Sequence, residues 1–405
     1  SRPVPVIVDG FAQPPPAPAY AEPVTCSDEA ALIYTSGTTG QPKGCMLSNA
    51  YFTRMGRRYL EMGGLCRLEP GRERLITPLP FTHMNALACS MMAMLMAGGC
   101  LVQLDRFHPR TWWREVRSAR ATIVHYLGVM PAMLLNLPPE DDDFSSQVKF
   151  GFGAGCDPRH QATFENRFGF PLIEAWAMTE TGAGAWISAD HEPRHVGTRC
   201  FGRAPETLEY RIVDQTGRDV AVGEPGELLV RQRGADPRAG FFSGYYKDPK
   251  ATAEAWEGGY FHTGDVVRVD PHGAFYFVDR RKNVIRRSGE NIAAVEVEGV
   301  LFQHPEVANC AVTAVPDEVR GDEVMALVVP AEPARADTAL AEALGTFARE
   351  HLAYFKIPGW LAFVTELPKT ASEKIQRGEV KRIARERLEA GAATDLRHLK
   401  KRPAS

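Results

Sequence analysis

No CxxC pair occurs among the eight cysteines, at 26, 45, 66, 89, 100, 156, 200 and 310, so neither a zinc ribbon nor a thioredoxin-type site is indicated. Several of these sulfurs lie in apolar runs, where a free thiol behaves as a small buried hydrophobe; a reducing, cytoplasmic setting is expected. Charge of one sign is equally scarce. The 47 Lys+Arg against 50 Asp+Glu leave a net −3, which removes any global electrostatic reason to expect nucleic acid or an anionic membrane as partner. The opening Ser1-Arg2-Pro3-Val4 has neither the charged nor the apolar region of a secretory signal. One charge-free run, Ala86 to Leu104, has the length of a membrane span, but Gly98-Gly99 cuts it and a strand-like CLVQL closes it before Asp105. A buried helix, a turn and a buried strand fit it, and no integral membrane association is expected. No internal repeat is visible.

The 405 residues, 44% of them hydrophobic, suffice for two or more domains with real cores. In the first half, strand-like runs at 30–34, 74–79, 100–104, 121–127, 148–153 and 171–176 alternate with amphipathic segments near 48–62, 84–97, 109–120 and 158–168. That rhythm predicts βαβ units and a mostly parallel sheet covered by helices. After about residue 200 the runs LEYRIVD, GELLVRQ, DVVRVD and GAFYFVD, separated by turn residues, predict a smaller antiparallel β region. A compact α+β segment follows: helix 293–303, strands near 307–315 and 323–330, helix 338–352, strand 361–365 and helix 376–389. The expectation is an α/β large domain over 1–281 and a smaller α+β domain over 282–405, divided near the charged DRRKN at 279–283.

Chemistry concentrates at Tyr34-Thr35-Ser36-Gly37-Thr38-Thr39-Gly40-Gln41-Pro42-Lys43-Gly44. Glycines permit close backbone approach, hydroxyls and amide N–H groups donate to phosphate oxygens, and Lys43 adds positive charge. The Walker form needs GxxxxGK[ST]; Gly44 after Lys43 breaks it, and the bland alternative is a flexible polar turn. A second motif, His191-Glu192-Pro193-Arg194-His195, fits HExxH, but Pro193 and Gly197 leave no room for the helix that a zinc protease needs.

Read whole, the loop resembles the [YF]TSGTTGxPKG signature of the adenylate-forming superfamily of acyl-CoA synthetases, adenylation domains and luciferases. Six further motifs follow in that family's order. Pro80-Phe81-Thr82-His83 is similar to its PLFH segment, which sets His83 beside an acyl pocket. Gly153-Ala154-Gly155 looks like the small-residue strand end that packs on adenine. Trp176-Ala177-Met178-Thr179-Glu180 resembles YGMTE, with Trp176 in place of Tyr as an aromatic face for adenine, Thr179 toward phosphate and Glu180 toward Mg²⁺. Thr263-Gly264-Asp265 matches TGD, whose Asp accepts from the ribose hydroxyls. Asp279-Arg280-Arg281-Lys282-Asn283, followed by Ser288-Gly289-Glu290-Asn291, resembles the hinge and the loop after it: Arg280 the ribose/phosphate contact, Lys282 the hinge, Gly289 within the nucleotide- and thiol-facing loop. Asn283 stands where Asp is common. Ser372-Glu373-Lys374-Ile375-Gln376 resembles the catalytic-lysine motif, with Glu373 where Gly is frequent.

The resemblance implies an ATP-dependent ligase that adenylates a carboxylic acid, releases pyrophosphate, and transfers the acyl group to the thiol of coenzyme A. Lys374 would act at the reacting phosphate. Rotation about Lys282 would exchange Lys374 for the 287–292 loop between the two half-reactions. The stretches PFTHMNAL, EAWAMTETGAG and SEKIQ look most like carnitine/crotonobetaine-CoA ligase-like acyl-CoA ligases. His125, Tyr126, Gly128, Met130, Ala183 and Gly184 are candidates for lining the acid pocket. Two alternatives stay open: an adenylation enzyme that loads a carrier-protein thiol, and a silent nucleotide-binding subunit. Only 34 residues precede Thr35, where family members have a longer segment, so an N-terminal part is expected to be missing, with a homodimer or a partner chain completing the domain.

Overall fold

The computed structural model of the chain describes residues 23–35, 42–140, 143, 147–280, 283–287, 290–369 and 375–400. Strands β1 (Glu29–Thr35) and β2 (Lys43–Ser48) run antiparallel with Thr35 opposite Lys43, so the two ends of the glycine-rich loop lie side by side. Ser48 then caps α1 (Asn49–Glu61) by accepting from the Tyr51 N–H, and Tyr51, Met55 and Tyr59 form its buried stripe. After β3 (Arg74–Thr77), the charge-free run folds as a π-helical segment over Asn85–Ser90, α2 (Met91–Ala97), a left-handed Gly98, and β4 (Cys100–Gln103). The alternation continues through α3 (Trp112–Ser118), β5 (Ile123–Leu127), α4 (Val129–Leu135), β6 (Phe150–Ala154), α5 (Pro158–Phe168), β7 (Leu172–Trp176) and β8 (Ile187–Ser188).

These strands form one sheet in the order β4-β3-β5-β6-β7-β8, parallel except for β8. Period-two alternation sends successive residues into two cores. Leu75, Ile123, Phe150 and Ile173 join Met55 and Tyr59 on one face; Ile76, Val124, Tyr126 and Leu172 join Trp113 and Phe164 on the other. Among the described residues no helix is long and apolar enough to cross a membrane. All eight cysteines are free, and six are buried.

The strand at 30–34 departs from the expectation of a parallel sheet. It pairs antiparallel with β2, because the short connection over 36–42 cannot make the dozen-residue crossover that a parallel pair requires. The expected antiparallel region comprises β9 (Cys200–Arg203), β10 (Leu208–Val213) and β11 (Gly226–Gln232), then, past β12 (Gly244–Tyr245) and α6 (Pro249–Ala255), β13 (Phe261–Val269) and β14 (Ala274–Arg280). Its order is β10-β11-β13-β14-β9, while β12 leaves it to pair with β2 and complete a β1-β2-β12 sheet.

The smaller unit begins with the hairpin β15 (Val284–Arg287) and β16 (Glu290–Ala293), then α7 (Ala294–Leu301), β17 (Val307–Asp317), β18 (Gly321–Pro330), α8 (Thr338–His351), β19 (Trp360–Phe363), α9 (Arg377–Glu389) and β20 (Thr394–Asp395). Its sheet runs β16-β15-β18-β19-β20, with β17 also on β18. Ile285, Val297, Val312, Leu344 and Leu361 fill one side, and Val315, Met325, Leu327 and Val380 the other. None of the buried hydrophobic clusters spans the stretch between β14 and β15.

Candidate active site

Thr35, at the end of β1, is where the glycine-rich loop departs. Ser36, Gly37, Thr38, Thr39 and Gly40 lie outside the described residues, as do Lys282, Gly289 and Lys374. The Thr35 hydroxyl lies 3.3 Å from Glu180 Oε1 and donates to it, as does the Tyr245 hydroxyl at 3.1 Å. Tyr245 reaches Glu180 because β12 pairs with β2 at Cys45, and its ring carries the Lys43 ammonium 4.9 Å from the centroid. Sequence reasoning missed Tyr245: it is remote in sequence from both partners and only the three-stranded sheet brings it in. Thr179 is partly buried and its carbonyl accepts from the Tyr51 hydroxyl at 2.9 Å, which ties the turn after β7 to α1. Gly182 completes that turn at φ +47°, and a Cβ there would sit 2.3 Å from the Tyr51 ring.

Asp265 is 2% exposed. Its Oδ2 accepts from Trp176 Nε1 at 2.9 Å. Arg280 Nε stands 3.1 Å from Oδ1 as an ion pair without hydrogen-bond alignment, so Oδ1 is a buried acceptor with no hydrogen bond. Burial raises the Asp265 carboxyl and the Arg280 guanidinium opposes that, while Asp279 and Glu180 add repulsion; Asp265 and Glu180 are thus electrostatic neighbours. Trp176 is itself buried, tilted against Phe201 with its N–H committed to Asp265.

Gly153 and Ala154 end β6, and Gly155 follows it. A Cβ on Gly153 would meet the Tyr126 carbonyl oxygen at 2.3 Å, so only glycine lets β5 and β6 approach here. Ala154 and Gly155 are exposed. Glu174, whose role the sequence did not disclose, is buried beneath them. It accepts from the Gly155 N–H at 2.7 Å, the Cys156 N–H at 3.1 Å and the Tyr126 hydroxyl at 2.5 Å. Burial raises its carboxyl and these three donors offset the shift.

His83 is exposed at the start of the π-helical segment, where its carbonyl accepts from the Leu87 N–H at 3.1 Å. The proposed pocket lining is corrected: His125, Tyr126 and Met130 are filled core positions at 0%, 2% and 3% exposure, and Gly184 is packed against Phe241. His125 belongs to a buried network. Asn85 Oδ1 can only accept, so His125 Nδ1 carries the proton at 2.8 Å and Nε2 accepts from the Tyr59 hydroxyl at 2.9 Å.

Burial pushes His125 down to about 3, against 6.5 for the unfolded chain. Between those values the unfolded chain binds a proton that the folded one refuses. Stability tied to His125 is complete above pH ~6.5 and is lost as pH falls toward ~3. Urea titrations between roughly pH 6 and 4 should lose about 1.4 kcal/mol per pH unit through this group. His125→Gln should remove that part of the slope; an unchanged slope would acquit His125.

The HExxH segment is not helical, and Arg194 inside it is ion-paired to Glu165 at 2.7 Å and Glu192 at 2.9 Å. At the other end of the site Asp279, 1% exposed, accepts from the Arg280 N–H at 2.6 Å and from Asn283 Nδ2 and the Val295 N–H at 3.4 Å each, joining β14 to α7. The segment bearing Lys374 is closed at its base by a bridge between Lys369 and Ile375, and Gln376 Nε2 donates to the Lys369 carbonyl at 2.7 Å. Arg377, the next residue, is clamped by Glu298 of α7, with NH2 at 2.9 Å from Oε2.

Comparison with known proteins gives the family. Residues 5–246 match the family model of the AMP-binding enzymes, and residues 296–374 that of the AMP-binding enzyme C-terminal domain. Crotonobetaine/carnitine–CoA ligases of Escherichia coli O8 (strain IAI1) and Shigella sonnei (strain Ss046) are 32% identical over 371 residues, 91% of this chain and 69% of each relative. ATP-bound MatB from Rhodopseudomonas palustris superimposes with a TM-score of 0.78 at 26% identity, over 90% of this chain and 70% of that one. The o-succinylbenzoate CoA synthetase of Bacillus subtilis, solved with its acyl-adenylate intermediate, gives 0.75 at 26% identity, over 88% and 70%. The chain belongs to the adenylate-forming AMP-binding enzymes, and within them to the acyl-CoA ligase family.

Proposed function

We propose that this chain joins a carboxylic acid to coenzyme A by way of an acyl-adenylate formed from ATP. The observation that carries the reading is the buried Asp265 carboxylate, which holds an acceptor oxygen with no hydrogen bond, together with the buried Glu180 at the foot of the glycine-rich loop. That oxygen is suited to ribose hydroxyls. Glu180, held by Thr35 and Tyr245 where the glycine-rich loop departs, is suited to the triphosphate end. In this reading 1–281 is the large domain and 282–405 the mobile one.

A carboxylate is a poor electrophile, so it is first made the nucleophile. Its oxygen bonds to the α-phosphorus, the bond from that phosphorus to the bridging oxygen breaks, and pyrophosphate leaves with the electron pair. The loop 36–40 would cradle the departing phosphates, with Thr179 and Lys43 beside it, and Ala154-Gly155 would flank the base. Lys374 would stabilise the charge that shifts onto the α-phosphate oxygens, so the step rests on positioning and electrostatics. The thiol sulfur then attacks the acyl carbonyl and AMP departs. His83, exposed at the mouth of the acid side, and Arg280 on the ribose side would orient substrate.

A hard divalent cation fits the donors present. Glu180 offers a carboxylate and Thr35 a hydroxyl, and no group of three or more His, Cys, Asp or Glu surrounds them among the described residues, so phosphate oxygens and water would complete the shell as Mg²⁺ prefers. Bound there, Mg²⁺ supplies charge neutralisation on the phosphates. The relatives named as crotonobetaine/carnitine–CoA ligases place betaine-like acids first among those to try. Pyrophosphate release from Mg-ATP, with and without CoA, across short, medium, aromatic and betaine acids tests the reading. Release that depends on one acid and turns over repeatedly only with CoA supports it; silence across the panel overturns it.

A further inference from the structure

The small unit holds a buried ion cluster that the proposed chemistry leaves unused. Glu323 on β18 is 0% exposed, and its two carboxylate oxygens take Arg287 Nε at 2.9 and 2.8 Å. Lys400, whose side chain is 2% exposed, donates to Glu323 Oε1 from the other side. The Val324 N–H adds a third donor at 2.8 Å. Two cations and one carboxylate withdrawn from water are a poor device for stability alone, since apolar residues of similar volume generally do as well.

Both arms of the cluster lead somewhere. Arg287 is the last residue of β15, and its pairing with Gly321 joins β15 to β18. Lys400 lies on a docked segment that follows β19 and α9. β20 pairs with β19, the Leu396 N–H donates to the Gly359 carbonyl at 2.9 Å, and Leu396 is 0% exposed. The Arg397 guanidinium lies over Trp360 at 4.5 Å, and His398 meets Glu342 at 3.2 Å. A Cβ on Gly359 would sit 2.5 Å from Glu323 Cδ, so the Glu323 side chain is confined where the tail meets it.

We infer that Lys400 is a positioning residue for thiol transfer: through Glu323 it fixes Arg287, and through Arg287 the β15–β16 hairpin that would line the thiol path in the second half-reaction. The role rests on the ligase reading above. A nearly buried charge more than a hundred residues along the chain from Arg287 thereby holds the β15 and β16 strands against β18, an arrangement that the second chemical step alone would need. Removing it should leave adenylation, which uses Lys374 on a different segment, untouched.

The test uses the full chain with Lys400→Met, Lys400→Arg and Glu323→Gln. Hydrogen–deuterium exchange without substrate should quicken over 284–293 in Lys400→Met but stay unchanged over α8, and Lys400→Arg should restore it. With the acid that best supports pyrophosphate release, Lys400→Met should lower CoA consumption from the pre-formed acyl-adenylate by about 10- to 100-fold. ATP–pyrophosphate exchange should stay within about twofold of wild type. Equal loss in both half-reactions, or unaltered exchange over 284–293, would overturn the inference. If Lys400→Met does not fold, Glu323→Gln, which removes the charge that Arg287 and Lys400 share, should quicken the same exchange over 284–293 and carries the measurement. A wild-type chain that consumes no CoA would overturn the ligase reading, whereas the substrate-free exchange still decides whether Lys400 holds the hairpin.

Discussion

Lys374→Ala is expected to cut acid-dependent ATP–pyrophosphate exchange by about 10²–10³-fold, the usual effect of losing one charge-stabilising donor in a closed site. CoA consumption from a supplied acyl-adenylate should remain within about threefold, because that step makes no use of the lysine. The asymmetry follows from where the lysine is carried. Its segment is closed by the Lys369–Ile375 bridge and by Gln376 on the Lys369 carbonyl, and Arg377 beyond it is gripped by Glu298. The residues on either side of it are thus tied to one another and, through Arg377, to α7. On the proposed two-step chemistry, a single site would need the lysine for one half-reaction and clear it for the other. Loss of both steps to the same extent would remove the case for a two-state site.

Asp265→Ala should reduce kcat/KM for ATP by about 10²-fold, because two hydrogen bonds to an ionised carboxylate contribute together about 3 kcal/mol. The variant also strands Trp176 Nε1 and Arg280, so the raw loss mixes nucleotide binding with repacking. A cycle with 2′,3′-dideoxy-ATP separates them. Wild type should discriminate ATP from the dideoxy analogue by a factor comparable to the mutational loss, and Asp265→Ala should treat the two nucleotides alike. If the variant still discriminates fully, Asp265 does not read the ribose, and its unbonded Oδ1 belongs to the packing of β13 against β14.

Motif register carried much of this site in one dimension. The glycine-rich loop, the Thr263-Gly264-Asp265 stretch of β13, and the charged stretch at the β14–β15 junction are each local, because a segment built to contact one ligand constrains neighbouring residues. The strand and helix alternation was legible for the same reason: the segment at 86–104 declared its helix, turn and strand through two glycines and an Asp. Family resemblance then supplied roles that spacing cannot.

Other features had no local signature. Nothing in β1 distinguishes a strand of a parallel sheet from one arm of a hairpin, since both are short apolar runs; chain reach across the loop decided it. Tyr245 meets Glu180, Glu174 braces Gly155, and Lys400 meets Glu323 across separations of 65, 19 and 77 residues. His125 and Tyr126 look like pocket residues by position, yet alternation on a strand covered on both faces sends each into a filled core. Residue pattern thus named the chemistry and the order of elements, because those depend on near neighbours along the chain. Sheet pairing and burial decided which carboxylates are buried and which side chains hold them, because such contacts are set by closure of the fold over long separations.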